Sequence, residues 1–248
     1  MIRSRGLLLA GALAALSPAA ARAQHEGAAA PEHDSRGMTD AAMAGPMAES
    51  PHLVLTPTRP ATAAERRRAA ELAAALRRSI ERYRDVKVAE ADGYRMFAPR
   101  VKDQPVYHFT NGWRSVRSAF RFDPAQPPSL LYRKDARGEL VLIGAMYTAP
   151  KGASLDELDA RVPLSVARWH RHVDICVPPK ARRERWAERR GGVLLFGPAG
   201  SIATREACDA EGGRWLPSVF GWMVHANVFA GEDEGAIWGE VHRPGVRR

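Results

Sequence analysis

The sequence lacks several patterns on which common enzyme chemistry depends. It has no G-x-S-x-G nucleophile motif, no Walker A loop and no G-x-G-x-x-G fingerprint, which argues against a serine hydrolase, a P-loop nucleotidase and a Rossmann dehydrogenase. It has only two cysteines, Cys176 and Cys208, and no C-x-x-C pair, which argues against a thioredoxin-like dithiol. No apolar run reaches the roughly 20 residues that a transmembrane helix needs, so no membrane-spanning segment is expected.

The chain begins with features that are typical of an exported protein. Arg3 and Arg5 precede an apolar run over residues 7–16, and Ala-Arg-Ala at 21–23 matches a small-x-small cleavage site. The sequence therefore predicts a signal peptide over residues 1–23 and a periplasmic or secreted product.

Composition then divides the remainder into a leader and a folded part. Residues 24–60 hold few large aliphatic side chains, which predicts a flexible leader. Residues 61–248 have the length of a single domain. Thioether and imidazole groups in the leader suggest copper capture as a secondary hypothesis, with the candidates His33, Met38, Met43, Met47 and His52. The net charge of +9 is interpreted as a solvated basic face, and no nucleic acid partner is expected because exported proteins rarely meet nucleic acid.

The pattern within residues 61–248 predicts an α+β fold. Thr62 and Glu65 have the spacing of a capping box, and apolar residues then recur at three- and four-residue steps, which indicates an amphipathic helix. Period-two segments and turn residues follow, including a hairpin with strands over 130–133 and 140–147. We expect an N-terminal amphipathic helix followed by a mainly antiparallel β domain, with a barrel as one arrangement of that domain.

The segment W-H-R-H-V-D-I-C carries the main candidate site. Side chains alternate between the two faces of a strand, so His170 and His172 point the same way, together with Asp174 and Cys176. Two other strand-like segments, V-Y-H-F-T-N and G-W-M-V-H-A-N, each present a histidine amid apolar residues. We predict one transition-metal ion, copper, zinc or iron, bound by His170, His172, His225 and His108.

Further residues are candidates for supporting roles. Asp174 is a ligand or a carboxylate that orients an imidazole, and Met223 and Asn227 share the predicted face of His225. For Cys176 two alternatives stay open: a disulfide with Cys208, which export favours, or a thiolate ligand.

Two resemblances accompany these motifs. The H-x-H strand and the later histidine with an asparagine resemble the two metal motifs of cupins, and this resemblance implies metal ligation by His170, His172 and His225. Where cupins carry a glutamate after H-x-H, this chain has Asp174 and Cys176. The W-H-x-H-x3-C and F-G-W-M-x-H motifs also resemble exported bacterial proteins of unknown function, a resemblance that implies no activity.

Three functional hypotheses follow. The first is an exported soluble metal-binding protein, and the second is a metal-dependent oxidoreductase or oxygenase that uses the same residues with an open coordination position. The third is a ligand- or partner-binding domain without metal, with a contact surface formed by Trp169, Trp215, Trp222 and the basic run over 182–190.

Overall fold

The amphipathic helix predicted after Thr62 is present in the structure, a computed structural model that describes residues 50–99, 104–231 and 233–239. Helix α1 spans Ala63–Ile80. The Thr62 side chain accepts a hydrogen bond from the Glu65 backbone N–H, and the Glu65 carboxylate accepts one from the Thr62 backbone N–H. This reciprocal capping box confirms the predicted start of the helix.

The other helices are short. They are α2 (Val86–Ala91), α3 (Gly112–Phe120), α4 (Leu155–Arg161), α5 (Arg205–Ala210) and α6 (Glu234–Trp238), with 3₁₀ turns at Glu81–Arg84 and Arg183–Ala187. Among the described residues, none of the helices combines the length and the apolar character needed to cross a bilayer.

A seven-stranded antiparallel sheet forms the centre of the fold, and a two-stranded ribbon lies apart from it. The strands are β1 (Leu53–Leu55), β2 (Arg95–Met96), β3 (Tyr107–Thr110), β4 (Ser129–Lys134), β5 (Leu140–Ala149), β6 (His170–Val177), β7 (Arg189–Arg190), β8 (Val193–Leu194) and β9 (Arg214–Ala226). The order in the large sheet is β1-β6-β9-β5-β4-β3-β2. The α+β prediction is confirmed. Within the described ranges, however, β1 and β2 remain open edges, so the barrel arrangement is not formed.

The two faces of the large sheet differ in what covers them. One face packs its alternate residues against α1: Tyr107 and Phe109 of β3 and Val224 of β9 join Leu76 and Ile80 in the main core. The residues between them in sequence point to the opposite face because side chains alternate along a strand. Those intervening positions carry the histidines of β3, β6 and β9.

The sheet curls strongly around this second face. Irregular register occurs between β4 and β5 at Leu131/Tyr132, and between β6 and β9, where His170 pairs with Met223 but His172 pairs with Val219. Phe220, inside the second irregularity, has a left-handed backbone with φ of 63°. Bulges of this kind bend and twist a sheet, which explains how β3 and β9 approach each other at His108 and His225 without a closed ladder.

The last part of the predicted leader belongs to the sheet. Strand β1 pairs with β6, with Leu53 opposite His172 and Leu55 opposite His170. The predicted boundary at residue 60 is therefore wrong for residues 53–55, because edge pairing with β6 orders a segment that composition alone marks as flexible. The predicted signal peptide and residues 24–49 of the leader lie outside the described residues.

The disulfide alternative for the cysteines is confirmed. Cys176 and Cys208 are bonded, with their Cα atoms 5.5 Å apart. The bond ties β6 to α5 and lies in a small apolar cluster with Leu195, Phe196 and Ile202. Cys176 is therefore not a thiolate ligand.

Candidate functional site

The fold gathers four histidines from three separate strands on the face opposite α1. His108 lies on β3, His170 and His172 on β6, and His225 on β9. His170, His172 and His225 are buried, and His108 is partly buried. We call these four residues the histidine cluster. The predicted H-x-H strand and its two partner strands therefore do bring their imidazoles together.

Three ring-to-ring contacts connect the four imidazoles of the cluster. The ring centroids of His170 and His225 are 5.1 Å apart, those of His170 and His172 are 5.8 Å apart, and those of His108 and His225 are 5.8 Å apart. In a flat sheet His108 and His225 would be separated by three strand spacings, about 14 Å. The curl of the sheet is thus what brings His108 to the other histidines.

Burial keeps the His172 imidazole in its neutral form. Burial, assisted by the charges of His108 and His52, lowers the pKa of His172 from 6.5 to about 4. The imidazole is therefore neutral at physiological pH, which is the form that binds metals. Among the described residues, its buried Nδ1 has no hydrogen-bond partner. A buried polar nitrogen without a hydrogen-bond partner lowers the stability of the fold, and a ligand bound to this nitrogen would offset that cost.

The spacing of the cluster suits metal ligation in part. With a nitrogen–metal bond of about 2.0 Å, the ring centroids of two tetrahedral imidazole ligands lie about 5.2 Å apart, close to the His170–His225 separation of 5.1 Å. In the side-chain conformations seen across the described residues, however, no group of three or more His, Cys, Asp or Glu is positioned to hold an ion. Three-fold ligation therefore requires His172 or His108 to rotate about its side-chain bonds.

Two methionines flank the cluster. Met223 lies directly opposite His170 in the β6–β9 pairing, as its predicted place on the His225 face requires. Met146 lies directly opposite His225 in the β5–β9 pairing, and no sequence pattern indicated it as a candidate. Residues opposite each other in a ladder share a face, with Cβ atoms about 5 Å apart. The alternation of β5 was visible in the sequence, but its register against β9 was not.

Asp174 does not join the histidines in the way that strict alternation predicts. Its backbone is left-handed, with φ of 54°, so β6 is irregular immediately after His172. Cys176 packs into the apolar cluster around the disulfide. The single face predicted for His170, His172, Asp174 and Cys176 is therefore wrong in its second half, because the backbone at Asp174 breaks the period of two.

Asn227 organises the end of β9. It is buried, its Nδ2 donates a hydrogen bond to the Gly239 carbonyl at 3.0 Å, and its backbone N–H donates one to the Ile237 carbonyl. These contacts attach the end of α6 to the strand that carries His225. The role predicted for Asn227 beside a metal ion stays a prediction.

His52, which the sequence places among the metal-capture candidates of the leader, has a structural role next to β1. It is buried, and its Nδ1 and Nε2 lie 2.8 Å from the carbonyl oxygens of Asp174 and Gly200. Carbonyl oxygens only accept, so both contacts are hydrogen bonds only when both ring nitrogens carry a proton. His52 thus connects the start of β1 with β6 at Asp174 and with the loop at Gly200. The leader candidates His33, Met38, Met43 and Met47 lie outside the described residues.

A cavity of about 270 Å³ borders the histidine cluster. His170 and His225 line it together with Ser165 and Arg168 from the segment between α4 and β6. No sequence motif distinguishes Ser165 or Arg168.

The contact surface suggested for the third hypothesis is not available as predicted. Trp169 is 0% exposed and Trp222 is 7% exposed, and both belong to the main core. Arg185 and Arg190 of the basic run form ion pairs with Glu211. An interaction surface built on the two buried tryptophans is therefore wrong, whereas the Arg190 side chain remains 66% exposed beside Glu211.

The low pKa of His172 leads to a prediction for stability. The unfolded chain protonates this histidine near pH 6.5, whereas the folded chain protonates it near pH 4. We therefore expect its contribution to the free energy of unfolding to fall as the pH drops from 6.5 toward 4, by a total on the order of 3 kcal/mol. An NMR titration of the His172 ring should give a midpoint near 4. A midpoint near 6.5 would contradict the burial argument.

Comparisons of the chain with protein-family models, with curated proteins and with solved structures found no match.

Proposed function

We propose that the protein is an exported metal-binding protein that holds one transition-metal ion at the histidine cluster. The observation that carries the proposal is the convergence of His170, His172 and His225 within ring distances of 5.1 and 5.8 Å. Buried neutral imidazoles in this arrangement are nitrogen ligands for copper, zinc or iron. His108 is the fourth candidate ligand, 5.8 Å from the His225 ring.

The surroundings of the cluster favour copper among these metals. Met223 is paired with His170 and Met146 with His225 in the ladders, so each of these imidazoles has a thioether neighbour on its own face. Soft thioether ligands select copper, whereas non-haem iron sites usually include a carboxylate. Asp174, the nearest acidic candidate in sequence, lies at an irregular position of β6.

Export and the disulfide are mutually consistent parts of the proposal. The Cys176–Cys208 bond is of a kind that persists in oxidising compartments such as the bacterial periplasm. Together with the predicted signal peptide, this supports a periplasmic or secreted location.

A second candidate function is a metal-dependent oxidoreductase. The observation that favours it is the cavity of about 270 Å³ beside His170 and His225, which gives a small molecule access to two of the proposed ligands. Catalytic metal sites keep one coordination position open for substrate or water. A visible spectrum of the copper- or iron-loaded protein that shifts on adding azide would support this candidate.

Elemental analysis of the exported protein tests the proposed function. We expect about one copper, zinc or iron ion per chain in the wild-type protein and almost none in a His170→Ala/His172→Ala variant, because both ligands from β6 are lost. A variant of the leader, His33→Ala/Met38→Leu/Met43→Leu/Met47→Leu, should keep the ion. This result would distinguish metal binding by the histidine cluster from metal capture by the leader.

Circular dichroism of each variant checks that the fold is retained. A folded double variant with stoichiometric metal would contradict the proposal. If the wild-type protein contains no metal and takes up none of the three ions when they are added, the result would favour the hypothesis of a ligand-binding domain without metal.

A further inference from the structure

Helix α3 carries its large apolar side chains on the side that faces solvent. Trp113, Val116 and Phe120 are 71%, 56% and 86% exposed. Their spacing of three and four residues places them in one stripe along the helix. In a surface helix such a stripe normally packs on the core, but in α3 the buried side chain is Ser118. The amphipathic character of this helix is therefore reversed.

Hydrogen bonds to the polar side of α3 fix this orientation. The hydroxyls of Ser118 and of Thr148 in β5 are hydrogen-bonded at 2.9 Å. Nη1 of Arg161, at the end of α4, donates to the Ser118 carbonyl at 2.6 Å. On the same side, Nη1 of Arg114 donates to the Tyr94 hydroxyl at 2.7 Å. Because the polar side is held against the domain, the apolar stripe stays in contact with solvent.

Two positive charges accompany the stripe. Arg117 lies beside it on α3, and Arg121 directly follows Phe120; both arginines are exposed. In the part of the chain that the structure describes, neither arginine forms an ion pair. The nearby Asp123 carboxylate instead accepts hydrogen bonds from the Gln126 side chain and from a backbone N–H. The partner that covers the stripe should therefore carry negative charge.

The size of the stripe favours a lipid surface over a protein as that partner. Its three side chains expose on the order of 400 Å², whereas a stable protein interface buries about 800 Å² on each partner. A short helix with aromatic side chains on one face and cationic side chains at the flank is typical of a segment that lies in a membrane interface. Aromatic rings enter the boundary of the acyl chains, and guanidinium groups pair with lipid phosphates.

We propose that α3 attaches the exported protein reversibly to the surface of a membrane that contains anionic phospholipids. Trp113, Val116 and Phe120 insert at the boundary between head groups and acyl chains, and Arg117 and Arg121 bind the phosphate groups. None of these residues belongs to the histidine cluster. Lipid binding and metal binding can therefore be tested, and can fail, separately.

Cosedimentation of the metal-free exported protein with phospholipid vesicles tests the inference. We expect binding to phosphatidylglycerol vesicles and much weaker binding to phosphatidylcholine vesicles, which carry no net charge. A Trp113→Ser/Phe120→Ser variant should bind phosphatidylglycerol at least about tenfold more weakly, because it loses the two largest inserted side chains.

A pair of charge variants tests the role of the arginines. Arg117→Gln/Arg121→Gln should lower binding to phosphatidylglycerol vesicles at least about tenfold. Arg137→Gln/Arg183→Gln is the matched control, because it removes the same charge from two exposed side chains outside α3. The control should lose less than about threefold, since attraction to the membrane falls off within a Debye length.

Several results would overturn the inference. These are no binding to phosphatidylglycerol vesicles, equal binding to the two kinds of vesicle, unchanged binding by the folded aromatic variant, or an equal loss in the two charge variants. A wild-type dimer in sedimentation velocity that the aromatic variant does not form, together with no vesicle binding, would make the stripe an interface between copies of the chain. If the aromatic double variant does not fold by circular dichroism, Trp113→Ala replaces it, with an expected loss of at least about threefold.

Discussion

Replacing His170 with alanine is expected to weaken metal binding more than any other single substitution in the histidine cluster. The His170 ring is next to two others, 5.8 Å from His172 and 5.1 Å from His225, whereas the ring contact described for His108 is with His225. Loss of a residue that merely supports a ligand costs about 10- to 100-fold in metal affinity, so loss of this central ligand should cost at least about 100-fold.

Titration of metal-free protein with Cu²⁺ and with Zn²⁺ measures this effect. His108→Ala is the matched comparison, because His108 is partly exposed whereas His170 is buried; its affinity loss should be smaller than that of His170→Ala. Equal losses, or a larger loss for His108→Ala, would show that the ion is not centred on the β6 and β9 histidines. Thermal unfolding of each metal-free variant separates loss of ligation from loss of folding.

Replacing Gly144 with alanine should destabilise the fold by more than about 3 kcal/mol. A Cβ atom at this position would lie 2.0 Å from the Ala226 carbonyl oxygen and 2.8 Å from the Asn227 Cα. Both atoms are backbone, so they cannot move aside as the end of a flexible side chain can. The end of β9, directly after His225, must shift, and the histidine cluster is disturbed with it.

Urea denaturation of Gly144→Ala beside Gly152→Ala measures the effect. Gly152 is exposed, and a Cβ atom there would meet nothing within 4 Å, so its replacement controls for the loss of glycine flexibility alone. We expect a change within about 1 kcal/mol for Gly152→Ala. A Gly144→Ala protein as stable as the control would mean that β5 and β9 pack less closely than described.

Features of the fold that depend on residues close together in the chain could be predicted from the sequence. The capping box at Thr62 and the β4–β5 hairpin are short-range patterns, and the structure contains both. The disulfide was one of two open alternatives, and the pairing of Cys176 with Cys208 settled it. The placement of His170 and His172 on one face needed only the period of a strand.

Features that depend on distant parts of the chain were missed or misplaced. Composition places His52 in a flexible leader, but its ring contacts the carbonyls of Asp174 and Gly200, more than one hundred residues away. Met146 joins the cluster only through the β5–β9 register. The period-two rule fails at Asp174, where a single left-handed residue changes the backbone direction.

The sequence by itself determined which residues are available for metal chemistry and which of them share a strand face, because backbone alternation depends only on neighbouring residues. The tertiary structure alone decided which strands meet. His108 approaches His225 because bulges in the β4–β5 and β6–β9 ladders bend the sheet. Arg168 and Ser165 of the segment before β6 line the same cavity as His225 of β9. Such long-range proximity is set by the packing of the whole sheet, and no local pattern encodes it.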